Sequence, residues 1–265
     1  MNEDVNESQQ KEMTALEKCI NIFISPKETA ESINRKSDII LPLVLIAIMA
    51  IIFNLVSVHL QVTQPAVQLR MEKCQKQIMK KFGLNEKQID EALEKQQQNP
   101  MKNPILQYGG SVISAIFGNA FFILLMVVIL WVLGNWILAY KAPFEKMFAI
   151  SAYAMLIRYV GSMMALPLIM NQKSIKAGFH LGNMLDENTS TAFVPTFLQA
   201  ISLYINLFEI WTLIVLAIGM AVIYKTTTSK AIVIPFMVWG VFVLIFAAGV
   251  AALSSLSGIN LMSCY

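Results

Sequence analysis

The chain has 265 residues, of which 56% are hydrophobic and only 14% charged, and its mean hydropathy is +0.59. This composition excludes an ordinary soluble domain, in which about a quarter of the residues are charged. The net charge of +3 is too small to favour nucleic-acid binding, so we expect membrane lipid to be the main partner.

Five apolar runs are each long enough to cross the roughly 30 Å hydrocarbon core as a helix. They lack the alternation of barrel strands, and backbone groups left unpaired in lipid are costly, so helices are expected. The runs cover residues 39–61, 108–140, 144–170, 196–224 and 231–256. The sequence therefore predicts an all-α, polytopic helical membrane protein with five transmembrane helices, a membrane domain at 39–256 and a short tail at 257–265.

Residues 1–38 precede the first run and carry an apolar stripe at helical spacing, formed by Met13, Leu16, Ile20 and Phe23. Such a stripe is typical of an amphipathic helix. It would lie either on the membrane surface or against the protein's own spans, and both interpretations stay open here.

A second N-terminal helix has a clear predicted start. Ser25 is the expected N-cap, Pro26 takes the first helical position, and Glu28 stands three residues after the cap. This spacing is that of a capping box, in which the cap and the acidic side chain each accept a backbone hydrogen bond from the other residue.

The polar segment 62–107 separates the first two runs and is rich in charge. It is predicted to form an extramembrane helical hairpin: one helix over 66–82, a break at Gly83, and a second helix with Asn85 as its cap and Gln88 in the capping-box position. Its lysines form either a solvated face or a contact with anionic lipid headgroups.

The side of the membrane on which each end lies is not decided by charge. Lys and Arg residues near the span ends are equally frequent on the two sides, so the positive-inside rule gives no orientation. The cysteines Cys19, Cys74 and Cys264 are odd in number and scattered, which favours neither a disulfide framework nor a metal cluster.

Two charged residues, Arg158 in the third run and Glu209 in the fourth, lie deep inside apolar sequence. At 1.5 Å per residue, each is about 18 to 22 Å from either end of its run, which places both near the midplane. An isolated charge at that depth costs roughly 2.5 to 3.5 kcal/mol, so we expect the two to form an ion pair.

The surroundings of both charges indicate faces that point into the bundle. Small residues flank Arg158 at helical spacing and would let another helix approach closely. Glu209 lies on a polar stripe formed by Gln199, Ser202, Asn206 and Thr212. We expect Asn206 and Asn54 to complete the hydrogen bonds of the pair, which would serve either to fix helix register or as a midplane ion or proton site.

Enzyme signatures are absent from the sequence: there is no HExxH, no G-x-S-x-G and no phosphate-binding loop. The two histidines, His59 and His180, are too few and too far apart in sequence for a metal site. No catalytic, cofactor-binding or metal-binding residues are therefore predicted, and the protein is expected not to be an enzyme and to need no cofactor.

Taken together, these segments resemble the Yip family, five-span membrane proteins named for their interaction with Ypt/Rab GTPases. The resemblance rests on "FISPKETAESI" followed by "DIILPLVLI", and on "LFEIWTLIVLAIGMAVIYKTTTSKAIVI" at 207–234. It covers nearly all of residues 22–256. The chain departs from the family pattern in the third span, where "AMLIRYVG" follows Tyr153 and the expected Pro is missing.

The resemblance implies a cytoplasmic N-terminus and an extracytoplasmic hairpin. The short N-terminal region is similar to the bacterial branch, which implies the bacterial cytoplasmic (inner) membrane, with a eukaryotic Golgi or ER membrane as the alternative. The first functional hypothesis is a non-enzymatic membrane protein that organises membrane or protein partners through its N-terminal helices.

The second hypothesis is a small transporter or channel whose site is Arg158 and Glu209. The polar stripe of the fourth run stops at Thr212, which favours the first hypothesis because a conduit needs polar residues along its length. A face of small residues in the last run, with Ala247 and Ala251, serves either internal packing or formation of a homo-oligomer.

Overall fold

The computed structural model of the chain describes residues 12–97, 99, 103–138, 140–174, 176–184 and 190–264, so residues 1–11 of the predicted N-terminal region and residue 265 lie outside it. The elements in these ranges are helical. They are α1 (Ala15–Asn21), α2 (Pro26–Arg35), α3 (Ile40–Thr63), α4 (Pro65–Lys81), α5 (Glu86–Gln97), α6 (Pro104–Ile137), α7 (Phe144–Gln172), α8 (Phe193–Tyr204), α9 (Leu207–Ile223), α10 (Thr228–Ala231) and α11 (Val233–Ser257). Short 3-10 turns follow α7 and α11, at Leu181–Met184 and Leu261–Cys264.

Within the described ranges, four helices are long and apolar enough to cross a membrane: Ile40–Thr63, Pro104–Ile137, Phe144–Gln172 and Thr228–Ser257. They correspond to the first, second, third and fifth predicted runs. The fourth run is not one helix. It is divided into α8 and α9, each shorter than the roughly 20 residues that a span requires. The expectation of a continuous fourth helix is therefore wrong.

The division between α8 and α9 has a local cause. Asn206 adopts an extended conformation and its side-chain oxygen accepts a hydrogen bond from the backbone N–H of Glu209 at 2.7 Å, so it acts as the N-cap of α9. The backbone N–H of Leu181 donates to the carbonyl of Ile205 at 3.0 Å. A loop that follows α7 thus satisfies a backbone group that the interrupted helix leaves without an intrahelical partner.

The helix α7 is the centre of the bundle. It packs against α3 and α9, while α6 covers α3 and α8 packs on α11. Glycines allow the closest approaches: Gly219 of α9 lies against Ile150, and Gly161 of α7 lies against the ring of Phe208. We call the end where α7 begins and α9 ends the turn side, and the opposite end, where α4 and α5 lie, the hairpin side.

The N-terminal helices α1 and α2 pack on the turn side of the bundle. The side chains of Ile22, Ala30 and Ile33 are buried in the same core as residues of α7 and α9. The predicted stripe is divided, because Phe23 packs against this core while Leu16 and Ile20 stay exposed. The interpretation that the stripe packs against the protein's own spans thus applies to Phe23, and contact of Leu16 and Ile20 with a membrane surface stays a prediction.

The capping prediction for α2 is correct in position and wrong in detail. The helix begins at Pro26 after Ser25, but Ser25 forms no side-chain cap hydrogen bond. Its backbone N–H already donates to the carbonyl of Asn21 at 2.7 Å, so it is not available to Glu28. A capping box does form at α1, where Thr14 and Glu17 exchange hydrogen bonds.

The segment between α3 and α6 holds α4 and α5. Asn85 and Gln88 exchange backbone-to-side-chain hydrogen bonds at the start of α5. Cys74 of α4 packs beside Ile259, just after α11, and is disulfide-bonded. The expectation from the odd cysteine count is therefore wrong for Cys74, whereas Cys19 is buried and free.

Candidate functional site

Arg158 and Glu209 meet across the α7–α9 interface. Arg158 Nε lies 3.3 Å from Glu209 Oε2, and the side chains are 41% and 11% exposed, respectively. The guanidinium carbon also lies 5.7 Å from the centre of the Phe122 ring of α6, within the range of a cation–π contact. The ion pair is therefore asymmetric, with a buried carboxylate and a guanidinium that is open on one side.

The hydrogen-bonding partners predicted for this pair act elsewhere. Asn206 accepts from the backbone of Glu209 as a helix cap and is not seen bonding the carboxylate. Asn54 donates to the carbonyl of Ala50, one turn earlier on its own helix, at 2.9 Å. Asn54 and Arg158 both line a second, smaller cavity. The expectation that the two amides complete the pair's hydrogen bonds is wrong, because backbone groups close in sequence compete successfully for them.

The polar stripe is likewise satisfied mainly within its own helices. Ser202 donates to the carbonyl of Gln199 at 2.7 Å, and Thr212 donates to the carbonyl of Phe208 at 2.8 Å. The side-chain oxygen of Gln199 is buried with no hydrogen-bond partner in the structure. The stripe residues thus offer few free ligands to a solute.

A cavity of about 610 Å³ opens beside the ion pair. Its wall on α7 runs from Arg158 through Gly161 and Ala165 to Ile169, and α11 faces it with Phe246 and Val250. The loop after α7 adds further lining residues, which include Lys176 and His180. The cavity therefore extends from the ion pair toward the hairpin side of the bundle.

Beyond the ion pair, toward the turn side, the interface of α7 and α9 is tightly packed. Solvent reaches almost none of the side chains here. The fully buried or nearly fully buried residues are Tyr153, Ala154 and Ile157 of α7 and Val215 and Met220 of α9. These residues belong to one continuous apolar core. The cavity therefore does not continue along this interface beyond Arg158 and Glu209.

A second ion pair, which sequence reasoning missed, fixes the N-terminal helices. Lys18 Nζ lies 3.0 Å from Asp38 Oδ2 and donates to the carbonyl of Lys36 at 2.8 Å, while its side chain is 0% exposed. The pair joins α1 to the segment just before α3. Lys18 is one of several charged residues in a polar region, so its spacing alone gave no sign of burial.

The opposite face of this N-terminal unit is apolar and exposed. Leu16, Ile20 and Ile24 have exposed fractions of 60%, 55% and 77%. Burial of the thiol raises the pKa of Cys19 to about 11 on the inner face of the same helix. The inner face of the unit is therefore packed in the core of the bundle, and its outer face is exposed.

No group of three or more His, Cys, Asp or Glu residues that could hold a metal ion occurs in the part of the chain that the structure describes. The long apolar helices, packed around an ion pair whose carboxylate is buried, define an integral membrane protein of the polytopic helical class.

The family model for the Yip1 domain matches residues 20–249, and the chain belongs to this family. The matched segment begins inside α1 and ends inside α11, so it includes the ion pair, α2 and most of the residues that line the cavity. No curated protein and no solved structure is significantly similar to the chain. The resemblance seen in the sequence is thus confirmed.

Proposed function

We propose that this protein is a non-enzymatic membrane protein that organises membrane or protein partners through α1 and α2. The observation that carries the proposal is the exposed row of Leu16, Ile20 and Ile24 on a unit whose other face is buried. Exposed apolar side chains that are held in a fixed arrangement are typical of contact surfaces. The buried Lys18–Asp38 pair supports such an arrangement because it ties α1 to the start of α3.

The proposal places this surface in the cytoplasm. We infer that α8 and α9 together form the fourth of five spans. Because α3 crosses the membrane between them, the N-terminus and α4–α5 are on opposite sides. The disulfide at Cys74 supports this orientation, because disulfides persist in oxidising compartments outside the cytoplasm. The bacterial cytoplasmic membrane and a Golgi or ER membrane would present the same topology.

A photo-crosslinking amino acid at position 20 tests the partner surface in native membranes. We expect irradiation to join the protein to a discrete partner, because Ile20 is exposed on the outer face of α1. The matched control is the same amino acid at Leu253 of α11, which is also apolar and exposed but lies on the hairpin side.

A discrete protein adduct at position 20 that is absent at position 253 would support a protein partner. Adducts with lipid alone at position 20, with no counterpart at 253, would support a membrane surface as the partner. Identical adduct patterns at the two positions would refute the proposal, because α1 would then contact nothing that an ordinary lipid-facing helix does not.

The second candidate function is transport through the site at Arg158 and Glu209. The interrupted α8–α9 helix beside a cavity favours it, since discontinuous helices form the central sites of many transporters. The buried core on the turn side argues against a continuous path. Solute flux in liposomes that contain the purified protein, lost in the Glu209→Gln variant, would support transport over the first proposal.

A further inference from the structure

The cavity beside the ion pair has the dimensions of one membrane leaflet. From Arg158 to Ile169 the wall on α7 rises eleven residues, or about 16 Å. This is close to half of the roughly 30 Å hydrocarbon thickness. The volume of about 610 Å³ falls in the range, about 300 to 1,000 Å³, of sites for small molecules.

The long wall of the cavity is apolar. On α7, Gly161 and Ala165 are small and leave a groove at successive turns, and Phe246 and Val250 face it from α11. Such a wall gives a polar solute few hydrogen-bonding groups, while it would bury the surface of an alkyl chain favourably.

The closed end of the cavity is charged. The Arg158 side chain is 41% exposed, and its Nε lies 3.3 Å from Glu209 Oε2. The ion pair and the Phe122 contact are the interactions that the structure shows for this side chain among the described residues, so donors remain for a ligand. Glu209 lies in the first turn of α9, where the helix dipole and backbone N–H groups offset part of its charge.

The lining also holds an unpaired polar atom. His180 Nε2 donates to the carbonyl of Lys176 at 2.5 Å, and Nδ1 of the same ring is buried without a hydrogen-bond partner in the structure. A buried polar atom of this kind costs free energy unless a ligand or water pairs with it.

We propose that this cavity binds a single-chain amphiphile whose anionic group pairs with Arg158 and whose alkyl chain lies along α7 from Gly161 to Ile169. The site uses a surface separate from α1 and α2, so it goes beyond the function proposed above. The anionic group is a carboxylate or a phosphate, and the ligand is accordingly a free fatty acid or a lysophospholipid.

Equilibrium binding of radiolabelled oleate to the purified full-length protein in a neutral maltoside detergent tests the proposal. Oleyl alcohol is the uncharged probe of equal chain length, and oleoyl lysophosphatidate is the phosphate probe. We expect at least one anionic probe to bind about ten-fold or more tightly than the alcohol, the ratio that one charge-assisted hydrogen bond provides. The tighter anionic probe identifies the source of the ligand.

Two variants locate the binding. Arg158→Gln combined with Glu209→Gln removes both charges without stranding either, and should lower the affinity for the anionic probe to that for the alcohol. Val250→Trp fills the cavity from α11 and should remove binding of all three probes. Leu253→Trp is the matched control on an exposed face of the same helix, and should bind like the parent protein.

The proposal fails if neither anionic probe binds more tightly than the alcohol. It also fails if the charge-neutral double variant or Val250→Trp binds the anionic probe within about two-fold of the parent protein. Elution of each variant at the parent volume in size-exclusion chromatography, with the parent helical circular-dichroism spectrum, shows that a loss of binding is not a loss of folding.

Discussion

Arg158 Nε lies 3.3 Å from Glu209 Oε2, and these charges join the two helices at the centre of the bundle. Removal of one partner leaves the other without its counter-ion in a low-dielectric interior. We expect Glu209→Leu to destabilise the protein more than the double variant Arg158→Met/Glu209→Leu does. The loss for Glu209→Leu is about 3 kcal/mol or less, because Arg158 is partly exposed and can recover some solvation.

A double-mutant cycle of the midpoint of thermal unfolding in detergent measures this coupling. Gly240 of α11, which does not line the cavity, provides the control cycle as Gly240→Ala with Glu209→Leu. Simple additivity of Arg158→Met and Glu209→Leu would show that the two charges do not stabilise each other in the folded protein.

The Lys18–Asp38 pair predicts an asymmetric response to mutation. Asp38→Ala leaves the fully buried ammonium of Lys18 with only the carbonyl of Lys36, and should cost about 1 to 3 kcal/mol. Lys18→Met fills the same volume without a charge, and leaves an aspartate that is 32% exposed and can be hydrated. We expect this second variant to lose less than about 1 kcal/mol.

Release of α1 from the bundle can be followed by limited proteolysis, as cleavage at sites C-terminal to residue 12. The midpoint of thermal unfolding measures the loss of stability in the same variants. Equal losses of stability in Asp38→Ala and Lys18→Met would contradict the prediction, since the difference in burial between the two groups would then have no energetic effect.

The contact between Gly219 and Ile150 predicts a specific rescue. A Cβ at position 219 would overlap the Cγ2 atom of Ile150, so Gly219→Ala should destabilise the protein by about 1 to 3 kcal/mol. Ile150→Ala in the same chain removes the clashing atoms and should restore part of the loss.

The control for this pair is Gly240→Ala in α11, where a Cβ would meet nothing within 4 Å. This substitution should be neutral or stabilise by up to about 1 kcal/mol, because alanine is the better helix former. A Gly219→Ala variant as stable as Gly240→Ala would show that α7 and α9 approach less closely than the structure indicates.

Cys19 predicts a pH-dependent reaction. Burial raises the pKa of its thiol to about 11, so the reactive thiolate is scarce near neutral pH. Alkylation by iodoacetamide, followed as the modified Cys19 peptide by mass spectrometry, should be slow at pH 8 and accelerate as the pH approaches 11. Unfolding in detergent and urea should remove the delay.

The same shift has a consequence for stability with a defined sign. The folded pKa lies above the unfolded value near 9, so ionisation favours the unfolded chain and the unfolding midpoint should fall as the pH rises from about 9 to 11. Cys19→Ser provides the comparison without a titrating thiol in this range. An identical pH dependence in both proteins would contradict the prediction.

Cys74 tests the orientation. If the hairpin side faces an oxidising compartment, a membrane-impermeant reductant should free Cys74 in intact cells and permit labelling by an impermeant maleimide. Labelling should not occur without reduction. In bacterial cells, labelling of Cys74 only after the cytoplasmic membrane is permeabilised would place α4 in the cytoplasm.

Much of the helical layout was predictable because apolar run length carries it directly. The runs at 39–61 and 144–170 correspond closely to α3 and α7. The distance of each charge from the ends of its apolar run also predicted that Arg158 and Glu209 lie at the same depth, and the two form an ion pair in the structure. These inferences depend on the positions of residues along the chain, which folding does not change.

What the sequence could not provide depends on segments that are distant along the chain. The interruption before Asn206 is supported by the backbone of Leu181, from a loop with no apolar periodicity. Burial of Lys18 depends on where α1 meets the segment before α3. Neither relationship has a local composition signal, and no spacing rule applies to either.

The interruption between α8 and α9 also bears on biosynthesis. Alone, α8 extends about 18 Å and α9 about 26 Å, so each is shorter than the hydrocarbon layer. The proposed span of α8 and α9 therefore requires both helices to insert together, and a deletion in either should leave α11 in the inverted orientation across the membrane.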